Sequence, residues 1–380
     1  MNKISFIIIF IVLKVGAQTP TFTIADSLYA VGNYSEAIQQ LEDMQNVNEA
    51  VHSRLAKFYV AKGDLSSAIG YYIKVLNENP NRVLVALEYG EILVRYGNLK
   101  SADSLFDVLS SKYPNNAGFQ FQRGIIREKQ NDSTYIDFFK KTIQIDPNHQ
   151  QSLYKLAKDA LSKRDFTTSE KLALQGLDVN PNNASLLSIL AQTYFNENSF
   201  ILAITPFEKL LEIGQGNEFV HSKLGFCYYH QNYFEDAIQQ YNLALNYEDR
   251  NSNTHYNLGK LYAKLGDLKK SETHLLMSLL IKKQPVDAEY LSLALTYKLQ
   301  EDYKKALQYF NSALEENPHN ERALYERAIA ADNYFKDKKA VLNYYQAYLD
   351  KYSKQGNSEL TYLAGIRIKD IREELHLNGE

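Results

Sequence analysis

The chain has 380 residues, 45% of them hydrophobic, and 42 basic against 45 acidic side chains give a formal charge of −3. This composition is too apolar for a disordered chain and too polar for a protein with several membrane spans. The near balance of charge gives no sign of a nucleic-acid-binding surface. A single cysteine excludes an internal disulfide framework and any site built from several thiolates.

The first seventeen residues have the pattern of a secretory signal peptide. Lys3 precedes an apolar run at 4–13, and 15–17 place small residues where a signal peptidase cleaves. The alternative is a hydrophobic first helix of the fold, but the next helical pattern begins only after Pro20. Because the run is shorter than the roughly twenty residues of a membrane span, we expect cleavage after Ala17 and no integral membrane span in the mature chain.

After this segment, prolines and glycines recur with a period of about 34 residues, which is the mark of a repeat architecture. Apolar residues between them follow in steps of three and four, as Leu55, Ala56 and Tyr59 do ahead of Gly63. This spacing predicts amphipathic helices. A glycine ends the first helix of each period and a proline stops the second, so each period predicts a helix–turn–helix hairpin. The period-marking prolines are Pro80, Pro114, Pro147, Pro181 and Pro318.

The residue pattern inside each period resembles the tetratricopeptide repeat. Small residues recur at repeat position 8: Ala56, Gly90, Gly124, Ala157, Ala191, Gly225, Gly259, Ala294 and Ala328. They also recur at position 20: Ala37, Ala68, Ala102, Ser169, Ala203, Ala237, Ser271, Ala306 and Ala340. Aromatic residues occupy position 24: Tyr72, Phe106, Phe207, Tyr241, Phe310 and Tyr344. The resemblance implies an all-α fold, a right-handed superhelical solenoid of helix–turn–helix repeats closed by a C-terminal capping helix.

The domain assignment follows from this register. We assign 1–17 to the signal peptide, 18–354 to a solenoid of about ten repeats, and 355–380 to the capping helix and a tail. The capping helix itself is predicted near 358–377, where it would cover the last apolar face of the array. Pro206 falls inside a second helix, where proline can introduce a kink.

Residues that carry chemistry are sparse. No glycine-rich phosphate loop, nucleophile elbow or His-Glu-x-x-His zinc motif occurs in the sequence. His52, His221 and His255 fall at repeat position 4, where they either replace a packing aromatic or bind a metal; their wide spacing favours packing. Cys227 lies among aromatic residues and suits a small buried side chain better than a nucleophile. We predict no catalytic residue, no metal and no cofactor.

In the tetratricopeptide family, certain first-helix positions line a concave groove, and here repeats six to eight place aromatic residues there. Aromatic side chains backed by a few polar groups suit capture of a peptide or a partner helix, although several could instead contact the neighbouring repeat. The carboxylate-gripping clamp of some family members is not matched by Ser53, Lys57, Leu87, Glu91, Phe121 and Ile125. The predicted partner-binding residues are Phe195, Phe219, Ser222, Lys223, Phe226, Tyr229, Tyr256 and Lys260.

The sequence therefore predicts a periplasmic or secreted scaffold, bacterial by its Asn-, Ile-, Lys- and Tyr-rich composition. It would bind an unidentified protein or peptide partner through the groove, and it could associate with an envelope complex. The alternative is a glycan-handling or assembly subunit of a cell-envelope export machine, in which tyrosine rings stack on sugars. An enzyme is the third reading, which the missing motifs disfavour.

Overall fold

The computed structural model describes residues 19–282 and 285–377, and within these ranges the chain forms 21 α-helices and no strand. The predicted all-α class is confirmed, while the predicted signal peptide at 1–17 lies outside the described residues. The helices are α1 Thr19–Ala30, α2 Tyr34–Glu42, α3 Glu49–Lys62, α4 Leu65–Glu78, α5 Val83–Tyr96, α6 Leu99–Lys112, α7 Ala117–Lys129, α8 Tyr135–Ile145, α9 Gln150–Ser162, α10 Phe166–Val179, α11 Ala184–Asn196, α12 Phe200–Glu212, α13 Glu218–His230, α14 Phe234–Tyr247, α15 Ser252–Lys264, α16 Leu268–Ile281, α17 Asp287–Leu299, α18 Tyr303–Glu316, α19 Glu321–Tyr334, α20 Lys338–Tyr352 and α21 Ser358–Leu377.

Odd-numbered helices up to α19 are the first helices of hairpins, and even-numbered helices are the second helices. Contacts within the chain group them into two compact units, of which the first ends at Lys163 and the second begins at Arg164. The division falls in the turn between α9 and α10, so the assignment of 18–354 to one array stays a prediction. None of the helices in the described ranges is long and apolar enough to cross a membrane.

Each hairpin turn but the last uses one residue with a left-handed backbone. Gly63 and Gly97 end α3 and α5 with φ of 89° and 90°, as the sequence predicts. The residue after each of these two glycines then caps the second helix, as Asp64 Oδ1 does by accepting from Ser67 N at 3.0 Å. The repeating turn residues with positive φ are Gly32, Gly63, Gly97, Asn131, Arg164, Asn198, Asn232, Gly266 and Glu301.

The core of each hairpin forms where position 8 of the first helix meets position 24 of the second. A Cβ atom built on Gly124 would lie 2.5 Å from Phe139 Cε1, and one built on Gly259 would lie 2.6 Å from Leu275 Cγ. Neither distance is possible for a real side chain, so only glycine permits this approach of the two helices. Phe106 and Phe139 are fully buried, which is the packing role that the sequence predicts for the aromatic position.

Two hairpins replace the usual alanine at position 20 with serine, and each serine has a buried partner in the next repeat. Ser169 Oγ lies 2.8 Å from Thr193 Oγ1, and Ser271 Oγ lies 3.0 Å from Thr296 Oγ1. All four residues are buried. The paired hydroxyls satisfy each other, so the polar substitution does not leave an unbonded group in the core.

Tyrosines in the last turn of first helices join neighbouring repeats. Tyr194 in α11 donates to Glu170 in α10 at 2.7 Å. Tyr297 in α17 donates in the same way to Glu272 in α16 at 2.6 Å. Burial and then the hydrogen bond to the carboxylate raise the pKa of Tyr194, which keeps the phenol a donor. These tyrosines serve packing between repeats.

The last hairpin departs from the predicted register by one residue. Ala340 and Tyr344 were predicted at positions 20 and 24, but Val341 is fully buried and Tyr345 is 4% exposed, so these two residues take the core places. The N-cap of α19 is Asn320, and the C-cap that follows Tyr334 is Phe335, whose backbone is extended and not left-handed. From this N-cap to the buried Val341 the chain is therefore one residue longer than from Asn48 to the buried Ala68 in α3–α4. The extra residue shifts by one position the residues of α20 that face the core.

The last described helix, α21, lies where the sequence predicts the capping helix. Ala364, Ile368 and Ile371 of α21 lie in one apolar cluster with Tyr345 and Tyr348 of α20. Because α21 covers the apolar side of α20, it closes the second unit as a capping element.

We predict that Gly90→Ala destabilises the first unit by about 1–3 kcal/mol, because its Cβ would overlap the ring of Phe106. Gly70→Ala is the matched control: Gly70 lies within α4, and a Cβ there meets no heavy atom within 4 Å. Alanine at Gly70 should stabilise the unit by about 0.5–1 kcal/mol. Urea unfolding of both variants measures the difference, and equal effects would contradict the packing account.

Candidate functional site

The predicted binding residues come from α11, α13 and α15, the first helices of three successive hairpins in the second unit. On α13, Phe219, Lys223, Phe226 and Tyr229 follow in steps of three and four, so they lie along one side of the helix. We call the following set the aromatic–lysine surface: Phe195, Phe219, Lys223, Phe226, Tyr229, Tyr256 and Lys260.

The aromatic part of this surface is a connected group of rings. The centroids of Phe195 and Phe226 are 5.3 Å apart, and Phe200 at the start of α12 lies 5.4 Å from Phe226. His230 stacks on Phe200 at 4.5 Å and contacts Phe226 at 4.4 Å. Desolvation and then the charge of Lys260 lower the pKa of His230. The imidazole is therefore neutral near pH 7 and extends the apolar surface.

Two lysines lie over these rings. Lys223 Nζ is 4.2 Å from the ring centroid of Phe195 and 5.8 Å from that of Phe219. Lys260 Nζ is 5.3 Å from the ring of Tyr256 and 5.5 Å from that of Tyr229. Within the described residues, neither ammonium group has a carboxylate oxygen within 4.0 Å. Cation–π contacts hold both lysines without neutralising them.

Ser222 and Phe219 differ from the other predicted residues. Ser222 Oγ donates to Glu218 Oε1 at 2.7 Å and lies 3.3 Å from Thr254 Oγ1, so it connects α13 to α15. We therefore leave Ser222 out of the aromatic–lysine surface. Phe219 is 37% exposed, whereas Phe195, Phe226, Tyr229 and Tyr256 are half-buried against their neighbours.

A cavity of about 440 Å³ adjoins the surface at Tyr229, Tyr256 and Lys260 and extends along α15, α17 and α19. Sequence reasoning missed the cavity and also missed Phe200. Phe200 begins a second helix, outside the positions expected to line a groove. In the sequence, the cavity is indicated only by Lys260 and Lys264, two lysines four residues apart that lie on the same face of α15. The remaining lining residues are Ala263, Leu275, Leu291, Ser292, Leu295, Thr296, Lys298, Leu299, Arg322 and Glu326.

The position-4 histidines are used within their own hairpins. His52 Nδ1 lies 2.7 Å from Glu78 Oε1, and His221 Nδ1 lies 2.8 Å from Gln240 Oε1. His255 Nδ1 lies 2.9 Å from His274 Nδ1. Each of these three histidines thus has a partner on the second helix of its hairpin. No group of three or more possible metal ligands occurs in the described part of the chain.

Cys227 is fully buried on α13. Burial raises the pKa of its thiol to about 12, although the nearby charge of Lys223 acts in the opposite direction. The thiol is therefore protonated at neutral pH, and a protonated thiol is a poor nucleophile. Its position against the apolar cluster that includes Leu224 indicates a packing role.

We predict that stability falls below pH 6.5 because of His274. Burial, followed by the charges of His255 and Lys270, lowers the pKa of His274 to about 4. Since the unfolded chain binds this proton near pH 6.5, the folded state loses stability as the pH falls from about 6.5 to 4. The loss should be about 1–3 kcal/mol after allowance for partial exposure. Urea unfolding at pH 7.5 and pH 4.5 measures it. His274→Gln should reduce this dependence, and an unchanged pH dependence would refute the assignment.

Models of known protein families match the helical hairpins of this chain. Five family models, all described as tetratricopeptide or TPR repeats, match residues 51–84, 154–218, 225–266, 252–284 and 288–320. Together these ranges cover just over half of the chain. None of the curated proteins compared with the chain matches it significantly in sequence.

Several solved structures resemble the chain at low sequence identity. YrrB, described as a TPR protein with an unusual peptide-binding site, is 18% identical, with a TM-score of 0.47 over 50% of this chain and 97% of its own. PilF of Pseudomonas aeruginosa is 19% identical, with a TM-score of 0.46 over 57% and 97%. Yeast Tom70 is 13% identical, with a TM-score of 0.40 over 94% and 96%. This level of likeness concerns the fold alone.

Proposed function

The chain belongs to the tetratricopeptide repeat family, and we propose that it is an exported, non-catalytic scaffold that binds a protein partner through the aromatic–lysine surface. Repeat arrays present extended surfaces made of successive first helices, and members of this family bind protein or peptide partners. The proposal assigns that role to α11, α13 and α15 of the second unit.

One observation carries the proposal: partly exposed rings from three successive first helices lie beside lysines that have no acidic partner among the residues that the structure describes. Buried core aromatics such as Phe207 and Tyr241 fill the space between the helices of a hairpin. Phe226, by contrast, packs against the apolar cluster that contains Tyr241 and is only partly buried, so part of its ring stays exposed. Aromatic residues are enriched where proteins meet their partners.

The chemistry of the neighbouring groups supports a binding role without catalysis. The thiol of Cys227 is buried and protonated. His221 is buried and pairs with an amide oxygen on α14. A catalytic nucleophile needs a base within hydrogen-bonding reach and access to substrate, and neither group has this arrangement.

Export to the periplasm or the medium is part of the proposal and rests on the residue pattern of 1–17. The test is expression of the full chain in a bacterium, followed by fractionation and mass spectrometry of its amino terminus. The expected product is outside the cytoplasm and begins at Gln18. A chain that retains Met1 and stays in the cytoplasm would contradict export while leaving the binding role open.

We predict that Phe219→Ala combined with Phe226→Ala weakens partner binding at least tenfold, because truncating aromatic anchors at interfaces typically costs more than 1 kcal/mol each. The partner is first captured from envelope fractions and identified by mass spectrometry, and its affinity is then measured by calorimetry. Tyr334→Ala combined with Tyr362→Ala is the matched control, since these residues are 45% and 69% exposed on α19 and α21.

The control pair should bind as the unaltered protein does. Partner affinity that survives the Phe219 and Phe226 substitutions, with the helical fold intact by circular dichroism, would refute this surface as the site. Binding to polysaccharide in the absence of any protein would instead support the glycan-handling alternative.

A further inference from the structure

We infer that the cavity next to the aromatic–lysine surface receives an acidic peptide segment with apolar side chains beside its carboxylates. This inference rests on the proposed scaffold function and names the chemistry of the partner. The cavity is formed by α15, α17 and α19 within the second unit, and it has a volume of about 440 Å³. That volume suits a few side chains of a bound segment.

The cavity has an excess of positive charge. Four cations line it, Lys260, Lys264, Lys298 and Arg322, against the single carboxylate of Glu326. The chain as a whole has a formal charge of −3, so this concentration of cations is a local feature and not a reflection of composition. A cavity with a positively charged lining attracts a negatively charged peptide segment.

The one carboxylate in the cavity is already engaged. Lys298 Nζ lies 2.5 Å from Glu326 Oε2, and Arg322 Nε lies 3.9 Å from Glu326 Oε1. Since one carboxylate offsets only one positive charge, the cavity keeps three of its four positive charges, and two of its cations form no ion pair with Glu326.

Lys260 and Lys264 are those two cations. Lys264 Nζ lies 4.5 Å from the ring of Phe234 and 5.9 Å from the ring of Tyr229. Lys260 has the two tyrosine contacts described above. In the described residues no carboxylate oxygen comes within 4.0 Å of either ammonium group. The rings fix the position of both lysines while their charge stays available to a ligand.

The floor of the cavity is apolar, and this distinguishes among anionic ligands. Leu275 is fully buried beneath it, and Leu291 and Leu295 are half-buried at its side. Leucine side chains offer no hydrogen bonds to the hydroxyl groups of a sugar, whereas they can bury Leu, Ile, Val or Phe of a peptide. Cations above an apolar floor therefore fit an acidic peptide better than an anionic polysaccharide.

Tyr256 adds a directional polar group. Its hydroxyl oxygen accepts from Ser292 Oγ at 3.2 Å. The phenolic proton of Tyr256 is then available to a second acceptor, and a ligand carboxylate next to Lys260 would supply one.

The test presents a random dodecapeptide library, displayed on phage, to the full chain. The expected result is enrichment of peptides that place Asp or Glu beside Leu, Ile, Val or Phe. A selected peptide should bind about tenfold more weakly to the Lys260→Gln, Lys264→Gln double variant. Its affinity should also fall as salt rises, because the contacts are electrostatic and partly exposed.

Lys269→Gln combined with Lys304→Gln is the matched control. Both lysines are exposed in the second unit, on α16 and α18, neither lines the cavity, and the change in net charge is the same. The control should retain the affinity of the unaltered protein. Thermal unfolding by circular dichroism separates loss of binding from loss of fold.

Three outcomes would overturn the inference. Enrichment of neutral or basic peptides would refute the acidic segment, yet it would leave the scaffold function standing if those peptides required Phe226. Equal affinity of both lysine variants would place the acidic peptide elsewhere. Absence of any enriched peptide, with heparin retained by the unaltered protein and released by the Lys260 and Lys264 changes, would indicate an anionic glycan and refute the scaffold function as well.

Discussion

The rest of the structure depends on one packing constraint, the close approach of a small residue in the first helix of a hairpin to a large side chain in the second. At Gly124 and Gly259 there is no room for a Cβ atom beside Phe139 and Leu275. This contact brings the helices together, and it directs the tyrosines of the first helix toward the preceding repeat, where Tyr194 reaches Glu170. On the remaining side of the first helices α11, α13 and α15, aromatic residues pack only partly against the apolar clusters, so their exposed parts are available for a partner.

The aromatic–lysine surface occupies that remaining side in three successive hairpins. Its rings support one another, as Phe195 and Phe226 do, so a partner would meet a prearranged surface and lose little side-chain freedom on binding. Its lysines are held by rings, and none of the carboxylates in the described part of the chain pairs with them, which leaves a local positive charge on a chain that is acidic overall. Packing between the two helices of each hairpin thus fixes where the first helices lie. The positive charge of the lysines on those helices indicates that the surface suits an acidic partner.

Most of the fold could be predicted because its signals are local. A glycine that needs a left-handed turn, such as Gly97, and the small residues of position 8 recur at a fixed spacing. The last hairpin was misassigned because one added residue changes the register of α20 without any glycine or proline to mark it. The cavity and the contacts of Phe200 could not be read from the sequence, because they depend on side chains from different hairpins. The eight predicted binding residues stay predictions, and among them Ser222 lies in a contact between helices.

Hydrogen–deuterium exchange of the full chain, with and without its captured partner, tests the central claim most directly. The claim is that the free side of successive first helices in the second unit is the partner surface. Backbone amides in α11, α13, α15 and α17 should then be protected by the partner, while α16, α18 and the helices of the first unit keep their exchange rates. Protection confined to the second helices, to α21 or to the first unit would contradict it.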